Sequence, residues 1–234
     1  MPGSTGSWPR ARALAVLLLE LAAGAASTLA LAVLALNLLR GILGPGVRLV
    51  DRQVAEAVYR WRSPGLTAAM RLLTHLGAAY PMAAAIAVAV PLAWKEHKKR
   101  LVTLVIVLVM GVVINLLLKG IFQRARPAMA PLVGAAGYSF PSGHSMNAMV
   151  FYSAVAFLAY RYADRRLVSL LVVALSSAIV LAVGFSRVYL GVHYPADVLA
   201  GYAVGAWWLA AALLVSRSRA LAVLLESRDT GAPR

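Results

Sequence analysis

The sequence predicts an all-α membrane protein: a six-transmembrane-helix bundle with a short amphipathic interfacial helix. Three observations carry that expectation. The 234 residues are 62% hydrophobic, well above the roughly half that soluble domains carry. Several apolar runs reach the about 20 residues that a helix needs to cross a hydrocarbon core. Between runs stand basic clusters, Lys95-Glu-His-Lys-Lys-Arg100 and Arg161-Tyr-Ala-Asp-Arg-Arg166, which mark membrane boundaries. The chain is read as one domain over residues 1–234.

The elements follow in order. A polar tail, 1–10, leads into a first span at 11–39 that contains Arg12, Glu20 and Asn37. Arg10, Arg12 and the small residues Ala22 to Ser27 resemble a secretory signal peptide, but the apolar run continues past them, which favours an uncleaved span. Glu20 lies within that span, where a carboxylate is costly unless neutral or partnered. Gly44-Pro45-Gly46 is expected to break the helix. Val47, Val50, Val54, Val58 and Trp61 then recur at helical steps, with Arg48, Arg52, Glu56, Arg60 and Arg62 on other faces. That pattern fits an amphipathic helix lying on the membrane surface, or equally one packed on the bundle. Ser63-Pro64 restarts the chain.

A second span is expected at 72–94, kinked at Pro81 and Pro91, and a third at 101–118 beyond the basic turn. The fourth is 142–160 and the fifth 167–185. Pro195 opens the sixth, 195–215, which ends before Ser216-Arg217-Ser218-Arg219. Six spans place both termini on one side with the basic turns, hence in the cytoplasm of a multi-pass plasma-membrane protein. The opposite face also holds cations, from Arg48 to Arg187. It receives all three polar stretches that interrupt the apolar runs.

The net charge is +15. Most basic residues sit at span ends, where they read as topology signals and contacts to anionic lipids. No nucleic-acid motif accompanies them. There is no cysteine, so thiolate nucleophiles, disulfides and Cys-based metal sites are excluded. Of the eight acidic residues, only Asp197 is near the polar stretches in sequence. A two-metal site needs clustered ligands, so no metal and no cofactor is expected. No phosphate-binding G-x-x-x-x-G-K-[ST] loop is present.

The three polar stretches are Lys119 to Pro127, Phe140 to Ser145 and Ser186 to Asp197. Together they offer Lys119, Arg126 and Arg187 as cations, His144 and His193 as imidazoles, and one carboxylate, Asp197. This is an inventory for gripping a phosphate and cutting an ester bond to it, a reaction driven by positioning and electrostatics. Ser142 stands at an N-cap position, so the free N–H groups near Gly143 and His144 add an anion-binding helix terminus. His193 and Asp197 are four apart. If the helix begun by Pro195 extends back that far, the carboxylate orients the ring. That leaves His144 as general acid.

Lys119-x6-Arg126-Pro127, Pro141-Ser142-Gly143-His144 and Ser186-Arg187-x5-His193-x3-Asp197 resemble the three-part signature of the type 2 phosphatidic acid phosphatase superfamily, with every fixed position matched. The resemblance implies a metal-independent lipid phosphatase. In it His193 is the nucleophile that forms a phosphohistidine, Asp197 supports it and His144 protonates the leaving group. Lys119, Arg126, Ser142, Gly143 and Arg187 hold the phosphoryl oxygens. Arg124 is not part of the signature. The substrate implied is a membrane lipid phosphate or diphosphate: phosphatidylglycerophosphate, phosphatidic acid or undecaprenyl diphosphate. Two other readings compete: a vanadium haloperoxidase-like anion site, and a lipid flippase or transporter, whose intramembrane charges would mark a path.

Overall fold

The computed structural model describes residues 10–129 and 131–215, apart from the side chains of 10, 35–36, 38–43, 86–103 and 215. The polar tail and Ser216 to Arg219 lie outside the described residues, as do the side chains of the basic cluster at 95–100. The described chain is all helix without a strand: α1 (Arg10–Tyr59), α2 (Pro64–His75), α3 (Ala79–Phe122), α4 (Gly143–Tyr162), α5 (Arg166–Tyr189) and α6 (Pro195–Val215).

Among the described residues, four stretches are long and apolar enough to cross a membrane: Ala11–Leu34, Leu104–Phe122, Arg166–Tyr189 and Pro195–Leu214. Two of the six expected spans are not among them. Helix α4 has the length, at 20 residues, but His144, Ser145, Asn147, Ser153 and Arg161 make it more polar than its neighbours. The stretch 72–94 is split, because α2 ends at His75 and α3 begins at Ala79.

Two expected breaks are also absent. Helix α1 runs through Gly44-Pro45-Gly46, and α3 runs through the basic cluster as one helix of 44 residues. Pro45 removes one hydrogen bond, whereas ending a helix among apolar groups strands several N–H and C=O groups at once. Lys, Glu and Arg are good helix formers. A basic cluster therefore marks depth in a membrane and not the end of a helix. Pro81 is the third residue of α3, in the first turn, where no N–H has a helical partner to lose. Ser63 does restart the chain: it caps α2 by accepting the Leu66 N–H, with Pro64 next.

The bundle is inside-out relative to a soluble one. Leu19, Leu175, Leu199 and Leu214 are exposed on its outer face, while Ser142, Ser186, Arg187, His193 and Asp197 are buried. The C-terminal part of α1 follows the same logic and corrects the expected amphipathic face. Asp51, Ala55 and Val58 are buried, whereas Val50, Val54 and Trp61 are exposed. This segment belongs to α1 and is not a separate helix.

Helix α4 packs on α3, α5 and α6, and α1 packs on α6. Gly201 permits the α4–α6 approach, since a methyl group there would meet the Ser142 carbonyl oxygen at 2.7 Å. Trp208 is fully buried and ties α6 to α3, its indole N–H donating to the Val107 carbonyl at 2.7 Å. Tyr189, also fully buried, accepts the Ser63 N–H at 3.0 Å and lies 3.1 Å from the Thr67 hydroxyl, which docks α2 on the end of α5. Among the described residues, Glu20 Oε2 is buried without a hydrogen-bond partner.

Candidate active site

Four helix ends meet at one end of the bundle: the C-termini of α3 and α5 and the N-termini of α4 and α6. The Ser142 N–H donates to the Asp197 carbonyl at 2.9 Å, joining the starts of α4 and α6. The 123–142 connection closes over them, with the Leu132 N–H on the Leu190 carbonyl at 2.9 Å. It begins at Gln123, which caps α3 in the left-handed region (φ 45°) and turns the next residues back over the helix ends.

Ser142 is the N-cap of α4, as the sequence suggests, accepting the Ser145 N–H at 3.4 Å and the Ser145 hydroxyl at 2.9 Å. A methyl group at Gly143 would come within 3.0 Å of Asn115 Oδ1, so glycine lets this turn lie against α3. Helix α6 begins at Pro195, after His193. The two residues are therefore not on one helix, which corrects the expected route to their pairing. Asp197 instead reaches back in the manner of a capping box, accepting the Tyr194 N–H at 2.8 Å. The same oxygen, Oδ2, lies 3.5 Å from His193 Nδ1 and accepts the Ser139 hydroxyl.

This arrangement fixes the state of His193. Its Nε2 lies 3.3 Å from Arg126 Nη1. A guanidinium can only donate, so Nε2 is the acceptor and Nδ1 carries the proton toward Ser139 and Asp197. Burial pushes the imidazole down to about 4; Asp197 opposes that, and Arg187 and Arg126 reinforce it. The ring is neutral at pH 7, with the Nε2 lone pair on the cationic side.

The cations converge there. Lys119 donates to the Tyr138 carbonyl and is in electrostatic reach of Arg126, Arg187 and Asp197. Arg126 donates to the carbonyls of Gly137 (2.9 Å), Ala136 (2.8 Å), Tyr138 (3.2 Å) and Val192 (2.8 Å). Arg187, 5% exposed, donates to Thr74 Oγ1 at 2.7 Å, and its Nε is buried with no hydrogen-bond partner among the described residues. The last turn of α5 carries it because that helix runs four residues past the expected end. His144, in the first turn of α4, is in electrostatic reach of Arg187, His193 and Arg126. All eight residues singled out from the sequence thus share one site.

Sequence reasoning left out four others. Arg124 donates to Asp197 Oδ1 at 2.7 Å and to Asp51 Oδ2 at 2.6 Å. Burial works against its charge, but the two carboxylates outweigh burial and hold it above its ordinary range. Asp51, far from the polar stretches in sequence, is brought to them by the fold. Ser139 bonds Asp197, and Thr74 holds Arg187. Arg124 was visible as a third cation between Lys119 and Arg126. Asp51 left a fainter trace, a carboxylate in helical step with Ala55 and Val58. Among the described residues, no three His, Asp or Glu side chains come together as a metal-holding group.

Residues 100–220 match the model of the PAP2 superfamily. Phosphatidylglycerophosphatase B of Bacillus subtilis is 34% identical over 166 residues, covering 68% of this chain and 79% of that protein. Lipid A 1-phosphatase of Rhizobium johnstonii is 41% identical over 108 residues, 42% of this chain and 40% of that one. Among solved structures, the crystal structure of a transmembrane PAP2-type phosphatidylglycerolphosphate phosphatase from Bacillus subtilis superposes with a TM-score of 0.68. It is 27% identical, over 96% of this chain and 98% of that chain.

Proposed function

The chain belongs to the PAP2 superfamily, and from that premise we propose that it is a metal-independent membrane lipid phosphatase working through a phosphohistidine. One observation carries the reading: His193 Nδ1 faces the Asp197 carboxylate at 3.5 Å while its Nε2 faces the Arg126 guanidinium at 3.3 Å.

The phosphoryl group lies among Lys119, Arg126, Arg187 and the N–H groups at Gly143 and His144. The Nε2 lone pair of His193 attacks phosphorus, and the bond from phosphorus to the lipid oxygen breaks. His144 gives that oxygen a proton, and Asp197 stabilises the positive ring. Water, deprotonated by His144, then attacks the phosphohistidine, releasing inorganic phosphate and restoring His193. Arg187 Nε supports this placement, because a buried donor without a partner favours an incoming anion.

Phosphatidylglycerophosphate is the first substrate to test, since a relative named for that activity aligns with 68% of this chain. Phosphatidic acid and undecaprenyl diphosphate complete the panel. Purified protein with exhaustive chelation is expected to release phosphate from at least one of them and to be blocked by vanadate. A requirement for added Mg²⁺ would overturn the mechanism. In the proposed topology both termini are cytoplasmic, the site is external, and anionic lipids contact the basic clusters. Because the chain has no cysteine, single cysteines at Ala135 and Ala163 can be labelled without background. An impermeant reagent should reach only the first in intact cells.

A further inference from the structure

Arg124 makes the shortest ion pairs of the site with two carboxylates from distant parts of the chain. Its Nη1 is 2.7 Å from Asp197 Oδ1, its Nη2 is 2.6 Å from Asp51 Oδ2, and its plane stacks over the Tyr194 ring at 4.4 Å. The second oxygen of Asp51 accepts the Ala196 N–H at 2.8 Å, in the first turn of α6. Asp51 is 2% exposed and Asp197 fully buried. Carboxylates at that depth are tolerated only when paired, and one guanidinium pairs both.

The consequence for Asp197 is geometric. Oδ1 is bound to Arg124, and Oδ2 receives the Ser139 hydroxyl and the Tyr194 N–H while facing His193 Nδ1. The carboxylate cannot rotate without losing several charge-assisted bonds. Asp51 in turn fixes both the guanidinium and the start of α6. The chain Asp51–Arg124–Asp197–His193 therefore runs from the end of α1 to the nucleophile, with no member touching the place where a phosphoryl group would sit except His193.

We propose that Arg124 and Asp51 are positioning residues for phosphoryl transfer: they lock the carboxylate that orients His193 and share its negative charge. This rests on His193 being the nucleophile. The charged and titratable groups that face His193 are Arg126 from the connection, Arg187 from α5, His144 from α4 and Asp197 from α6. Arg124 reaches it only through Asp197.

The test uses the full chain in detergent with an aryl phosphate, measuring kcat, KM and the pH profile. Arg124→Gln is expected to lower kcat by about 100-fold, the scale of a misplaced reacting group, with KM changed less than about threefold. The acid limb of kcat/KM should move to higher pH, because Asp197 without its guanidinium attracts a proton onto His193 more strongly. Arg124→Lys should recover part of kcat, limited by reaching one carboxylate instead of two. Asp51→Asn keeps an acceptor for Ala196 and is expected to cost roughly tenfold in kcat, a smaller loss of the same kind.

Near wild-type kcat in Arg124→Gln with an unmoved acid limb overturns the proposal. So does a loss confined to KM and vanadate affinity, which would make Arg124 a phosphate ligand. If thermal unfolding finds the Arg124 variants misfolded, Asp51→Asn decides, and wild-type kcat and limb there overturn it. A wild-type protein that never acquires acid-labile phosphoryl label fails the phosphohistidine reading itself and takes this proposal with it. Labelled wild type with unaffected variants fails the proposal alone.

Discussion

Arg187 and Arg126 bring the same charge to the same end of the bundle from two walls, one a helix and one a connection, and their surroundings differ in kind. Arg187 stands on the last turn of α5, buried, with one bond to Thr74 and a buried Nε that has no hydrogen-bond partner among the described residues. Arg126 stands in the connection between α3 and α4, and four backbone carbonyls take its donors. In the proposed mechanism the helix wall offers a phosphate oxygen a buried donor that no described group takes; an unpaired buried donor costs about 1–3 kcal/mol, which a hydrogen bond to that oxygen offsets. On the loop wall, by contrast, a phosphate oxygen must displace a carbonyl. In that mechanism Arg187 is preset for the phosphate, whereas Arg126 must exchange partners.

The hardest test lies between the walls, at the two histidines. His193→Ala should abolish turnover, by about 10⁴-fold or more for a nucleophile. His144→Ala given a labelled aryl phosphate should instead accumulate acid-labile, base-stable label, because an aryl oxygen departs without a proton while the water step still needs its base. Label on His193→Ala but not on His144→Ala would reverse the roles.

Next in size, Arg187→Lys should lose about 10²–10³-fold in kcat, the effect of deleting a directed donor to developing charge. Arg126→Lys should lose less in kcat and more in KM, since donors that must exchange carbonyls for phosphate contribute more to capture than to the transition state. Equal losses in both parameters for the two variants would erase the distinction drawn here. Thr74→Val tests the helix wall from behind. Freed from its hydroxyl partner, Arg187 should cost roughly tenfold in kcat, with Thr74→Ser restoring most of it.

The pH profile supplies a subtler measure. His193 is held down at about 4 against about 6.5 when unfolded, and its neutral form is the proposed nucleophile. After correction for substrate ionisation, kcat/KM should therefore persist well below pH 6.5 and fall near 4. Between those values the unfolded chain binds a proton that the folded one refuses, so stability should decline as pH drops from 6.5 to 4. His193→Ala should remove that part of the decline, as read by thermal unfolding. Smallest of all, Gln123→Gly should be tolerated, whereas Gln123→Val, a β-branched residue forced to φ 45°, should destabilise by roughly 1–2 kcal/mol.

The two walls also differed in how far they could be read from sequence. Arg187, His193 and Asp197 were legible because their spacing is fixed by one turn between two helices, and Ser142 because N-caps are local. Ser139 and Thr74 were not, since a hydroxyl's partner across many residues leaves no trace in spacing. Asp51 was hidden by a rule suited to water. The apolar stripe Val50, Val54 and Trp61 faces outward here, and the buried face carries the carboxylate. Hydropathy located Leu104–Phe122, Arg166–Tyr189 and Pro195–Leu214 well, because transfer free energy is what hydropathy measures. The breaks expected at Gly44-Pro45-Gly46 from its Gly and Pro residues and at Lys95 to Arg100 from charge are absent, because in apolar surroundings helix continuity is set by backbone hydrogen bonding.

Trp207 and Trp208 are neighbours on α6 that face different solvents. Trp207 is about half exposed on the outer surface, and Trp208 is sealed against α3 with its indole N–H on the Val107 carbonyl. In a protein whose other three tryptophans, Trp8, Trp61 and Trp94, are replaced by phenylalanine, the pair becomes an optical gauge. Bromine-labelled acyl chains should quench the outer indole and leave the inner one emitting. Any loosening of α6 from α3 during turnover would be seen as the inner fluorophore becoming quenchable, with no label attached to the enzyme.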